Sequence, residues 1–213
     1  MSKRNLMVAV FVAPLFACQT TSGMIDAIPS QGTVVTGSYE AANGRVKIPL
    51  PPGNWVVAGA NITRVGYQNP IEEAVLVKVG EDDGLTMIDI RTAITISRTG
   101  WQPGRLCERD DIDYLDRVSN PEGSLQECWG VRNFSTDLQK DLPAYLVQTE
   151  QYAKANGIEL GYTAKAVSYR FADKSYFVDA SYLFKPDDVT VDGLKEWGIS
   201  WRPKVERGFY GEQ

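Results

Sequence analysis

Residues 85–98 read LTMIDIRTAITISR. Ile88, Ile90, Ile94 and Ile96 share one parity, while Asp89, Arg91, Thr95 and Ser97 share the other. Strand side chains alternate between faces, so this segregation predicts a strand in a sheet with one apolar and one wet face. The turn-forming stretch Glu81-Asp82-Asp83-Gly84 precedes it, and Glu72 to Val79 precedes the turn. Two strand-like runs across a short polar turn predict a hairpin.

The same reading extends in both directions. Arg45 to Leu50 and Trp55 to Val65 are strand candidates separated by the turn signal Pro51-Pro52-Gly53-Asn54. Gly100-Trp101-Gln102-Pro103-Gly104 breaks the sheet. Further on, Val167, Tyr169 and Phe171 alternate, Ala172-Asp173-Lys174-Ser175 turns, and Tyr176, Val178, Ala180, Tyr182 and Phe184 alternate back, which predicts a second hairpin.

Two segments have helical spacing. Leu142, Tyr145, Leu146, Thr149, Tyr152 and Ala153 fall on one face of a helix over about 142–156, with Asp141 as N-cap, Pro143 in the first turn and Gly157 at the C-terminal end. Leu194, Trp197, Trp201, Val205 and Phe209 repeat every three or four residues, and Pro203 predicts a kink or a division into two short helices. Strands followed by helix, hairpin and helix lack the regular alternation of a parallel fold. They predict an α+β class: a mainly antiparallel sheet with helices packed on one face and one disulfide-pinned loop.

The N-terminus is organised differently. Lys3 and Arg4 precede the apolar run Leu6 to Ala17, followed by Cys18 and polar residues. A basic start, a short apolar stretch and a small residue before the cut form a secretory pattern, and the run is too short for a good membrane span. The stretch Leu15-Phe16-Ala17-Cys18 resembles the lipobox of bacterial lipoproteins, with bulky Phe16 where that motif carries a shorter side chain. The resemblance implies cleavage after residue 17 and a lipidated Cys18. Gln19 does not match the inner-membrane retention signal of Gram-negative lipoproteins, so the resemblance implies an outer-membrane, periplasm-facing anchor. An ordinary signal peptide, giving a secreted or periplasmic protein, is the alternative. The expected organisation is therefore a signal over 1–17, a lipidated flexible tether over 18–38 and one domain over 39–213.

Composition narrows the chemistry. The chain has 213 residues, of which 43% are hydrophobic and 23% charged, as in folded domains. Its 22 basic against 27 acidic residues give a formal charge of −5, which becomes −7 once Lys3 and Arg4 leave with the signal. That balance opposes nucleic-acid binding. No histidine occurs, which excludes histidine-based triads and histidine-ligated metals. Cys107 and Cys128 form an even pair in an exported chain and predict a disulfide.

Candidate sites are sparse. Asp111, Asp113 and Asp116 supply carboxylates for a weak calcium-like reading, but residue 116 occupies the place where a calcium loop needs glycine. The plainer reading is a solvated acidic face, with no metal and no cofactor. Glu108, Asp111, Glu122 and Glu127 surround the pinned loop and would supply a carboxylate pair for a hydrolase. Ser175 beside Lys174 and Ser168 near Lys165 are the available serine–lysine spacings, neither within a recognised motif. Trp197 and Trp201 read as core and Trp129 as packing on the disulfide, whereas Trp55 and Trp101 adjoin turns and are the candidate ligand-facing aromatics. The expected function is a non-catalytic binding or structural component of the cell envelope, with the membrane as one partner and an envelope protein or glycan as another. The alternatives are a carboxylate hydrolase on an envelope polysaccharide and an accessory subunit of an outer-membrane assembly.

Overall fold

The period-two segments pair side by side. In the computed structural model, which describes residues 28–64, 69–80, 84–97, 99–101, 104–119, 125–135, 142–161 and 163–211, β4 (Asn54–Thr63), β5 (Ile71–Val79) and β6 (Leu85–Ala93) form an antiparallel meander. A second antiparallel run comprises β7 (Tyr114–Ser119), β8 (Gln126–Ser135), β9 (Thr163–Ala172) and β10 (Phe177–Phe184). β6 pairs with β10 and joins the two runs. With β1 (Val34–Val35) against β4, the result is one eight-stranded sheet in the order β1-β4-β5-β6-β10-β9-β8-β7. β2 (Ser38–Ala41) and β3 (Val46–Pro49) form a separate hairpin.

The helices are α1 (Ala144–Ala155) and α2 (Val191–Tyr210). They lie on opposite faces of the sheet, which corrects the expected one-sided layering. α2 and the β2–β3 hairpin cover one face, packing Leu194, Trp201, Val205 and Phe209 with Trp55, Ile88, Ile90, Tyr169 and Tyr182. α1 covers part of the other, where Tyr145 and Leu146 meet Val56, Ala58, Val75 and Val77. The strands themselves explain the division. Trp55, Val56, Val57 and Ala58 are all buried, so both parities of β4 demand cover.

Local geometry fixes α1 in place. The ladder shifts between Val57 and Gly59, which makes Ala58 the extra residue of a bulge. Gly59 then faces α1 so closely that a Cβ would stand 2.1 Å from the Tyr145 carbonyl oxygen. Gln148 accepts a hydrogen bond from the Ala60 backbone N–H at 3.1 Å, and Gln31 donates to the Ala58 and Gln148 carbonyls at 2.7 and 3.1 Å.

On the opposite face, Glu72 anchors the small hairpin. It is 3% exposed and accepts from the Tyr39 hydroxyl at 2.8 Å and the Ala42 backbone N–H at 2.7 Å. Burial nevertheless pushes its carboxyl above the usual range. The hairpin turn places Ala42 and Asn43 at φ 51° and 57°, a left-handed conformation that a residue with a Cβ adopts at some cost.

Several boundaries move. Residues 31–35 are docked rather than part of the tether: Gly32 donates to the Val57 carbonyl, Val57 to that of Thr33, and β1 pairs with β4. The segment between the cysteines contains the edge strand β7 and the start of β8, where a short helix or irregular loop is expected from sequence. β6 ends at Ala93, so Ile96, expected on its apolar face, is 58% exposed. α2 runs unbroken through Pro203, with Trp201 on one side and Val205 and Phe209 on the other packed on the sheet. Packing on both sides outweighs the one intrahelical bond that proline removes. The lipobox with Cys18, Asp141 and Glu122 lie outside the described residues.

Candidate ligand groove

Beyond the edge of α1, its face of the sheet is polar. Cross-strand register brings Glu73, Arg91, Asp179 and Arg170 into one row across β5, β6, β10 and β9. The signs alternate along it. Arg91 Nε donates to Glu73 Oε1 at 3.0 Å, and Arg170 Nη1 to Asp179 Oδ2 at 2.8 Å. Thr63 Oγ1 donates to the other Glu73 oxygen. The adjacent row places Asp89, Ser181 and Ser168 on β6, β10 and β9. Arg132 reaches over it from β8, donating from Nε to Ser168 Oγ at 3.0 Å and from Nη2 to Ser181 Oγ at 3.4 Å. The two serine oxygens are 2.8 Å apart.

These rows floor a groove of about 1360 Å³. Tyr145 of α1 stands on one side of it, and Ser97, Trp101, Gly104 and Arg109 are among the residues that line another. The described residues of this wall are tied to the sheet. Cys107 is disulfide-bonded to Cys128, as the paired cysteines predict. Gln126 accepts from the Gly104 backbone N–H and donates to the Trp101 carbonyl, at 3.1 and 3.2 Å. Trp101 Nε1 donates to the Ser175 carbonyl at 2.9 Å, and its ring meets Phe177 edge-on at 4.6 Å. Gly104 is required here, because a Cβ would come within 2.9 Å of Arg170 Nε.

Asp89 is the electrostatic anomaly. Its Oδ1 is shut from solvent and has no hydrogen-bond partner among the described residues, although part of the side chain still borders the groove. Burial pushes its carboxyl up to about 6, against the opposing pull of Arg91 and Arg132. Burial likewise lowers the pKa of Arg132, whose hydrogen bonds go to hydroxyls and which has no carboxylate in salt-bridge contact among the described residues. Tyr145 is driven upward, first by burial and then by the negative field of Asp89 and Glu73.

The residues singled out from sequence are distributed differently. Trp101 lines the groove. Trp55 does not face ligand: it is 0% exposed, and its Nε1 donates to the Pro51 carbonyl at 2.9 Å, because its parity on β4 points it into the core. Trp129 does not pack on the disulfide, since consecutive residues 128 and 129 point to opposite faces. It stacks near Tyr169 at 6.2 Å and donates to Asp116 at 3.0 Å. Trp197 and Trp201 stack at 5.1 Å on the α2 side.

The acidic run is not brought together. Asp111 pairs with Arg109, which lowers its pKa, while Asp113 pairs with Lys165 and Asp116 with Arg202. No group of three metal-ligating side chains forms among the described residues. Glu108 is exposed, and Glu127 bonds Tyr210 and Arg202 on the α2 side. Ser168 and Lys165 have opposite parity on β9, with Ser168 in the groove and Lys165 on Asp113. Ser175 sits in the β9–β10 turn, its backbone N–H bonded to Asp173.

Glu73, Arg132, Arg170 and Asp179 were not candidates from sequence. Their signal is polar residues of one parity interrupting otherwise apolar strands, in register only after folding. No helix among the described residues is long and apolar enough to cross a membrane. The chain matches no family model, no curated protein and no solved structure.

Proposed function

We propose that this chain is a lipid-anchored cell-envelope protein whose folded domain binds a polar ligand in the groove beside α1. One observation carries the reading: the centre of the sheet holds two rows of charged and hydroxylated side chains, with Asp89 Oδ1 unpartnered among the described residues. Desolvating such groups is costly, and apolar residues of similar size would make a more stable face. Strain and polar burial of this kind are expected where function requires them. The anchor reading rests on the lipobox-like stretch ending at Cys18. It places the groove at a membrane surface facing the periplasm, where envelope glycans and peptides are the available partners.

Asp89 supports a second reading, a carboxylate hydrolase acting on an envelope polysaccharide. A carboxyl that titrates near pH 6 in a cleft suits a general acid. Its potential partners, Glu73 and Asp179, are each held in an ion pair with arginine, which occupies carboxylate oxygens that would otherwise meet the substrate. Binding is therefore the favoured function. The accessory-subunit reading has less support, because the large exposed apolar residues Val34, Val79, Ile96, Leu125, Val147 and Ile199 lie on different elements.

The test combines location and binding. Intact mass of membrane-derived protein should match a chain beginning at Cys18 plus acyl groups, lost in Cys18→Ser. Soluble glycan and peptide fragments of the envelope should bind saturably, unchanged in composition, and weaken with Arg91→Glu. Fragments that are cleaved would favour the hydrolase, and absence of saturable binding would overturn both groove readings.

A further inference from the structure

The groove holds a carboxylate oxygen without a donor and a cation without a carboxylate in salt-bridge contact, among the described residues. Asp89 Oδ1 is a buried acceptor with no donor among the described residues. Arg132 is a largely buried cation whose contacts are serine hydroxyls. Ser181 lies between them, opposite Asp89 in the β6–β10 register and bonded to Arg132. The two charges feel each other without forming a salt bridge. Arg132 is instead held on Ser168 and Ser181, with its guanidinium over the Phe134 ring at 4.9 Å. The floor therefore presents a carboxylate and a guanidinium that are not in salt-bridge contact with each other among the described residues.

We propose that the groove takes a zwitterion, with an ammonium on Asp89 and a carboxylate on Arg132, as in a free amino acid or a short peptide. This rests on the groove being a binding site. Charge alternation supports the choice. A simple anion drawn to Arg132 would meet Asp89, Glu73 and Asp179, and a simple cation drawn to Asp89 would meet Arg91 and Arg132. A dipolar ligand faces neither penalty, because each end lies against its opposite. An ammonium against the part of the Asp89 carboxylate that borders the groove would make a charge-assisted contact, the stronger class of hydrogen bond. The volume of about 1360 Å³ leaves room beyond the two charges, so side chains or a second residue fit beside Trp101 and Phe177.

The test uses the purified full chain and a panel of free amino acids and unblocked dipeptides, followed by calorimetry and tryptophan fluorescence. Controls are the same dipeptides with the amine acetylated or the carboxylate amidated, and neutral oligosaccharides. The proposal expects saturable binding of at least one zwitterion, weakened about tenfold or more by either block. Asp89→Asn should abolish discrimination against the acetylated form, and Arg132→Gln discrimination against the amidated form. Equal binding of blocked and unblocked peptides, or binding of oligosaccharides alone, would overturn the ligand class while leaving the groove as the site. No saturable binding by any probe would overturn both.

Discussion

Replacing Asp89 by asparagine isolates the electrostatic cost at the floor of the groove. The carboxyl titrates at about 6 in the folded protein, raised from 3.8. An acid whose folded pKa is raised stabilises the fold below its unfolded pKa, and that contribution is lost as pH rises through the folded value. Asp89 therefore begins to destabilise near pH 4, and the cost is complete a little above pH 6. Two units correspond to about 3 kcal/mol at 1.36 kcal/mol per unit. Asparagine keeps the shape and has no charge to desolvate. At pH 4 the variant and wild type should unfold at nearly the same urea concentration. At pH 7.5 the variant should be more stable by on the order of 2–3 kcal/mol, the difference growing between those limits. Urea unfolding of both proteins at half-unit pH steps measures the difference directly, and titrations shared by the two proteins cancel. A stability difference independent of pH would refute the claim that Asp89 is held as a carboxylate whose burial is costly.

Three other perturbations report on how the groove is built. Gly59→Ala should destabilise the domain by about 1–3 kcal/mol, since the new Cβ meets the backbone of α1; an unchanged denaturation midpoint would contradict the close packing at the bulge. Cys107→Ser with Cys128→Ser should cost on the order of 3 kcal/mol for a loop spanning 21 residues and should raise hydrogen exchange over residues 104–109, and unaltered exchange there would remove the disulfide as the support of that wall. Glu72→Ala should cost about 3 kcal/mol by leaving the Tyr39 hydroxyl and the Ala42 N–H without their acceptor, measurable by urea unfolding; a loss below about 0.5 kcal/mol would deny Glu72 its anchoring role.

The two hairpins and both helices could be read from the chain because their signals are local. Leu85 to Ala93 and the 167–184 pair alternate over enough residues to fix parity, and turns mark where each strand ends. β7 carries no clear strand signal because its residues continue the charged run that begins at Glu108, and an edge strand needs no apolar parity when one side faces water. Adjacency to a turn says nothing about parity, and register on β4 places Trp55 in the core. The sequence of β6 points to helices on one face because its polar parity, Asp89 and Arg91, has the pattern of a solvent-facing side. That parity borders the groove, and α1 covers its continuation on β4 and β5.

The site itself was less legible than the fold. Glu73, Arg91, Asp179 and Arg170 belong to four strands and become a charge row only through pairing that spans about a hundred residues of sequence. The acidic cluster between the cysteines was conspicuous because it is contiguous, yet each of its aspartates is turned to a different cation. Contiguity along the chain and convergence in space are separate properties, and strands favour the second across register rather than along sequence.

The most direct test of the groove as the functional site is an amide and side-chain NMR titration of the full chain with the soluble small-molecule and oligosaccharide fraction of cell envelopes. The account predicts saturable shifts clustered at Glu73, Asp89, Arg91, Arg132, Ser168 and Asp179, with the indole of Trp101 moving alongside them. Shifts confined to the α2 face, or no saturable shift, would contradict it.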